Sequence, residues 1–186
     1  LIQAIGAIED IKRSNSKSRI VLLTSPPYFD LMSKCPYVDE IIIDERMPRW
    51  NLFYLYNLKK KLSSYCFVRI FDLQNSSRTA FYHKYLLNNC NWSSTITTLE
   101  PGQKKSDFDE EPVLKRMEIQ LKKSGIKTAN IKRSNLNWAI INIRHITKNY
   151  FNKKYILIFP FCSPKLEEKK WPYYHMLISQ LKTKYN

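Results

Sequence analysis

Three short stretches of this chain carry side chains able to do chemistry. The first is Phe71 to Arg78, FDLQNSSR, where Asp72, Gln74, Asn75 and Arg78 close an apolar run. Carboxylate and amide groups suit sugar hydroxyls, and a guanidinium offers a two-pronged fork to a phosphate or carboxylate. The same stretch suits a plainer task, because Asp72, Asn75 or Ser76 would cap a helix starting there. The second is Arg46-Met47-Pro48-Arg49-Trp50, a basic–aromatic loop. It fits an anionic sugar or a membrane face, and equally a turn with solvated arginines. The third is Lys154 to Leu181. Tyr155 to Phe159 is an unbroken apolar run, Pro160 stops it, and Cys162, Ser163 and Lys169 lead to Pro172, placed as a first helical residue. Strand, hydroxyl- and ammonium-bearing loop and helix N-terminus make a place for an anion, with Ser163 and Lys169 as its ligands. An ordinary solvated loop has the same spacing.

Other chemistries lack their residues. With only three glycines, Gly6, Gly102 and Gly125, the chain has neither a Walker loop nor a GxGxxG turn. Cys35, Cys66, Cys90 and Cys162 form no CxxC pair, and His83, His145 and His175 are scattered, so no zinc site and no histidine relay is readable. No apolar run approaches the ~18 residues of a membrane span, and no signal-peptide pattern is present. With Leu at position 1, the expectation is a chain that begins inside a longer protein.

A net charge of +15 on 186 residues is unevenly spread. Residues 1–48 hold six basic against seven acidic side chains, residues 49–99 seven against one, and residues 100–186 eighteen against eight. Such an excess favours an anionic partner: nucleic acid, phosphorylated sugar or lipid, or an acidic membrane face. A lysine-rich solvated surface accounts for many of the same residues.

The elements that must position these residues read as alternating strands and helices. Leu1 to Ser14 predicts a helix, Ser18 to Thr24 a strand, Pro26-Pro27 a break before a short helix ending at Met32, and Val38 to Asp44 a second strand. Trp50 to Leu62 predicts a helix, Phe67 to Leu73 a third strand, and Arg78 to Leu87 another helix. Asn88 to Lys105 is the least legible stretch. Asp109 to Gly125 predicts a helix with a glycine stop, and residues 127–154 a polar bridge to a second domain opening on the strand from Tyr155. The pattern is that of an α/β protein with an open parallel sheet, whose ligands bind beyond the carboxyl ends of the strands.

Four segments, in order, also resemble glycosyltransferase family 9, the bacterial heptosyltransferases of lipopolysaccharide inner-core synthesis. LIQAIGAIEDIK is similar to that family's first helix. CPYVDEIIID is similar to its P-x-V-D-x-x-I strand, and FVRIFDLQNSSR to its D-L-x-I-D-L-Q-x-x-x-R strand and loop. ILIFPFCSPKLEEKKWPYYHMLISQL is similar to its P-G-A-S-x-x-K-x-W-P strand, loop and helix.

The resemblance implies a GT-B fold. Residues 1–150 would be the Rossmann-like acceptor-side domain without its first strand, and 151–186 the first βα unit of the nucleotide-sugar domain. It implies an inverting transferase, peripheral to the cytoplasmic face of the inner membrane, that moves heptose from ADP-heptose to an anionic lipid-linked saccharide, with no metal or other cofactor and no nucleic acid. Ser163, Lys169 and Cys162 would face the donor, and Arg78, Arg49, Arg46 and Gln74 the acceptor. The family's catalytic Asp would lie just before Leu1, so no catalytic residue is expected in this chain, which alone should be inactive. Phe161 stands where the family has Gly, and the loop from 163 to 169 is about two residues longer. Two further readings stay open: the same family with another nucleotide-sugar donor, and a basic, non-enzymatic module binding RNA or acidic lipid.

Overall fold

The computed structural model describes residues 1–148, 156–162 and 167–185. The chain divides into two compact units, Leu1–Ile140 and Ile141–Asn186. In the first, helices and strands alternate as α1 (Ile5–Ser14), β1 (Val21–Thr24), α2 (Phe29–Met32), β2 (Glu40–Ile43), α3 (Leu52–Ser63), β3 (Ile70–Phe71), α4 (Ser77–Tyr85), β4 (Trp92–Ser93), α5 (Thr95–Thr98), α6 (Lys105–Glu110) and α7 (Val113–Lys123). β1 pairs with β2 in parallel from Val21↔Glu40 to Thr24↔Ile43, and β3 pairs with β4 in parallel at Ile70↔Trp92 and Phe71↔Ser93. One further bond extends each ladder at its carboxyl end: Asp44 N–H donates to the Thr24 carbonyl and Asp72 N–H to the Ser93 carbonyl, both at 2.8 Å. The first unit is thus a mostly helical α/β assembly with two small parallel sheets.

Strand periodicity sorts the side chains onto two faces. Leu22, Ile41 and Phe71 pack against the core built by Ala7, Ile8 and Ile11 of α1 and Met117 and Leu121 of α7. Their neighbours Val21, Leu23, Ile42 and Ile70 turn the other way, toward Leu55, Leu58 and Leu62 of α3 and Tyr82 of α4. Helices therefore cover both faces of the strands. This core borders both pairs, since it includes Ile20 and Leu22 beside one and Phe71 and Leu73 beside the other.

Several sequence expectations change in detail. The third strand shrinks from seven residues to Ile70–Phe71, with Val68 89% exposed before it. Trp92 and Ser93, inside the stretch with no legible pattern, supply its partner. The helix expected from Asp109 to Gly125 is two helices, because Pro112 interrupts it and becomes the N-cap of α7. Gly125 ends α7 as expected, with φ at +78°, a backbone region glycine enters freely.

The second unit contains α8 (Arg144–Thr147) and α9 (Tyr174–Tyr185). Of the expected strand Tyr155–Phe159, Tyr155 lies outside the described residues, and residues 156–162 form no strand. Ile156, Leu157, Phe159 and Phe161 are exposed. An extended segment becomes a strand only by hydrogen bonding to another, and no described residue offers it a ladder. The helix of the expected βα unit forms; among the described residues its strand does not.

Candidate functional site

The carboxyl ends of β2 and β3 each run into a loop ordered by a buried aspartate. Asp44 sits one residue past β2. Its carboxylate accepts hydrogen bonds from the Tyr54 hydroxyl of α3, from the Tyr82 hydroxyl of α4 at 2.9 Å and from Arg46 N–H at 2.7 Å. The last bond turns the chain sharply, and Arg46 takes a left-handed backbone with φ of 54°. Arg78, one turn before Tyr82 on α4, closes the loop from outside. Its guanidinium donates to the Tyr82 hydroxyl at 2.9 Å, to the Met47 carbonyl at 3.0 Å and to the Arg46 carbonyl at 3.2 Å. Burial pushes the Tyr54 and Tyr82 phenols above the ordinary tyrosine range, and the Asp44 carboxylate adds to that rise. Both phenols are held neutral, as donors. The hydrogen bond to Tyr82 in turn raises the Arg78 guanidinium further.

Asp72 does the corresponding work after β3. One of its oxygens accepts from Gln74 N–H at 3.1 Å and Asn75 N–H at 2.8 Å, and Asn75 is left-handed with φ of 51°. Burial raises the Asp72 carboxyl, and these amide donors pull the other way. Ser76 caps α4 reciprocally with Thr79, which fulfils the capping role weighed for this stretch. Gln120, a buried residue of α7, locks the arrangement from beneath. Its amide nitrogen donates to the Asp72 carbonyl at 3.1 Å and the Ser93 carbonyl at 2.9 Å, and its oxygen accepts from the Asn75 side chain at 3.1 Å.

These two loops bring together all four residues expected on the acceptor side. Arg46 donates to the Gln74 side-chain oxygen at 3.0 Å, and Arg49 to the Ser77 hydroxyl at 2.7 Å, with its guanidinium 5.6 Å from the centre of the Phe81 ring. No carboxylate pairs with Arg46, Arg49 or Arg78 among the described residues. A cavity of about 610 Å³ runs between β1 and β3, with Thr24, Asp44, Arg46, Asp72 and Gln74 at the strand ends and apolar side chains such as Leu22 and Phe71 deeper in. Arg46 and Arg49 retain donors for an anionic ligand, whereas Arg78 uses its own to hold the loop. Asp44 and Asp72 are committed to turn geometry, so neither is assigned as a base. The site has the chemistry to bind and orient an anion.

The donor-side expectations fall in the second unit. Lys169 is exposed at the end of a short 3-10 turn, Glu167–Lys169, and Cys162 is half-buried. Ser163 lies outside the described residues. Among the described residues no three His, Cys, Asp or Glu side chains stand close enough to hold a metal ion, and no helix is long and apolar enough to cross a membrane.

Sequence reasoning missed Tyr54, Tyr82 and Gln120. Gln120 had a visible signal, a lone amide beside Met117 and Leu121 on an otherwise apolar helical face. The tyrosines had none, since their bond to Asp44 spans 10 and 38 positions. The chain matches no family model, no curated protein and no solved structure.

Proposed function

We propose that the chain is the acceptor-side part of an inverting glycosyltransferase resembling family 9, acting on ADP-heptose and an anionic inner-core saccharide. One observation carries this reading. Arg46 and Arg49 of one loop meet Gln74 of the next and Arg78 of the first turn of α4 at the carboxyl ends of parallel strands. Ligands of open parallel sheets bind at such ends, and unpaired guanidinium groups suit phosphates and acidic sugars. The finer fold reading is a single Rossmann-like sheet of the GT-B kind. It is supported by the parallel pairs, which share no ladder, and by the one apolar core that borders both. A further parallel strand in the slot between β1 and β3 would unite them.

In this reading the chain's own residues bind and orient. Arg46 and Arg49 hold the acceptor's anionic groups, Gln74 fixes Arg46, and Arg78 keeps the 46–47 backbone in place. Lys169, Cys162 and Ser163 belong to the donor side, where a cation would offset charge developing on the departing diphosphate. The chemical base is not assigned to this chain.

Titration calorimetry with a phosphorylated inner-core oligosaccharide tests the assignment. The expected result is saturable binding that weakens about tenfold in Arg46→Ala and again in Arg49→Ala, the loss of one charge-assisted contact each. Unchanged binding in both variants would sink it. ADP-heptose added alone should produce no nucleotide release from the isolated chain.

A further inference from the structure

The outer face of α3, with Trp50 just before it, forms a surface that adjoins the arginine site. At 100° per residue, Leu55, Leu58 and Leu62 share one face of α3, and all three are buried. The opposite side should be polar. Instead Trp50, Leu52, Phe53 and Tyr56 are 81%, 75%, 77% and 64% exposed. Single exposed apolar residues are ordinary, but four within seven positions at one end of a helix form a patch.

Charge frames the patch on both sides. Arg49 precedes Trp50, and Lys59, Lys60 and Lys61, all exposed, follow at the carboxyl end of the helix. From Arg46 to Phe71 the sequence holds six basic side chains and no acidic one. None of Arg49, Lys59, Lys60 or Lys61 has an ion-pair partner among the described residues.

We infer that this face docks on an anionic lipid bilayer, with the aromatic end of α3 entering the headgroup layer and its lysines reaching lipid phosphates. Aromatic and leucine side chains beside long basic ones are the composition of helices that lie in a membrane interface. A segment that carries six cations and no carboxylate from Arg46 to Phe71 complements a uniformly anionic partner better than a protein face of mixed charge. The patch is a convex helix flank rather than a groove, which offers no track for a nucleic-acid backbone.

The helix is fixed in this pose. Asn51 caps it by accepting from Tyr54 N–H at 2.9 Å, and the Tyr54 hydroxyl reaches Asp44. The aromatic end therefore abuts the loop that carries Arg46 and Arg49, so anionic groups borne by a docked lipid arrive beside the arginines. Docking itself does not rest on the transfer reaction.

Co-sedimentation of the 186-residue chain with vesicles tests this. Vesicles of equal parts phosphatidylcholine and phosphatidylglycerol should bind the chain at least tenfold better than phosphatidylcholine alone, and added salt should release it. Joint replacement Lys59→Gln, Lys60→Gln and Lys61→Gln should weaken binding to the anionic vesicles roughly a hundredfold, at about fivefold per lysine. Trp50→Ser with Phe53→Ser should weaken it at least tenfold while leaving its salt dependence, and circular dichroism should show both variants folded. Equal binding to the two vesicle types, or unaltered binding by both variants, would overturn the inference. So would tighter binding to polyuridylate than to anionic vesicles through the same residues. Each outcome is read without nucleotide-sugar turnover, so docking and transfer fail separately.

Discussion

Helices α1 and α3 are similar in length and opposite in burial. Every residue from Ile5 to Ile11 of α1 is buried, Glu9 and Asp10 among them. α3 buries three leucines and leaves Leu52, Phe53 and Tyr56 in the open. Acids lie inside on one helix and aromatic rings outside on the other, the reverse of what residue type alone would assign. The difference comes from what crosses each helix. The backbone of Asn130 passes over α1 at Gly6, whose amide donates to the Ser134 hydroxyl at 3.1 Å. Asp10 accepts from the amides of Ala129 and Asn130 and from the Asn130 side chain at 2.7 to 3.1 Å. A buried carboxylate with three donors is stable, whereas the aromatic face of α3 has no segment crossing it among the described residues.

The comparison breaks most readily at α1. Asp10→Ala strips three donors of their acceptor and should cost about 4 kcal/mol, read as a lower urea midpoint with an unchanged slope. Gly6→Ala comes next. A methyl there would stand 2.2 Å from the Asn130 carbonyl oxygen, a backbone atom unable to swing away. Its expected cost is about 3 kcal/mol, and a variant as stable as the parent would mean that this segment does not cross at Gly6.

At the amino end of α3, the Asp44 network gives a middle-sized effect. Tyr54→Phe removes one of the two donors to Asp44 Oδ1 and should cost roughly 1 to 2 kcal/mol. The same network sets a pH dependence. Both phenols have folded-state values above their unfolded ones, so their contribution is complete below the ordinary tyrosine value of 10.0 and lost as pH rises through the folded values. An alkaline absorbance titration should therefore show phenols that ionise late, together with unfolding, and fewer of them in Tyr54→Phe. A titration complete near the ordinary value with the chain still folded would contradict the network. Smallest of all, Phe53→Ser on the outer face of α3 should change stability by less than about 0.5 kcal/mol, whatever it does to vesicle binding.

The sequence alone marked out much of this molecule, and the reasons are local. Apolar spacing marked α1 and α3, the Pro26-Pro27 break marked the start of α2, and Gly125 marked the end of α7. Arg46, Arg49, Gln74 and Arg78 were singled out as residues that follow strands, which is a local fact too. Their meeting was not. It depends on Asp44 and Asp72 turning two loops toward each other, on Tyr82 linking Asp44 to Arg78, and on Gln120 joining β3, β4 and Asn75 from α7. β4 lay hidden because two residues, Trp92 and Ser93, are too few to show a period, and only pairing with Ile70 and Phe71 makes them a strand. The converse holds at residues 156–162, where a strong apolar run forms no strand because no described neighbour supplies a ladder. Periodicity and turn chemistry are written within a few residues, so the sequence determines where this chain can be helix, strand or turn. Pairing, burial of charge and the gathering of the arginines are contacts between distant residues, and those only the tertiary structure decided.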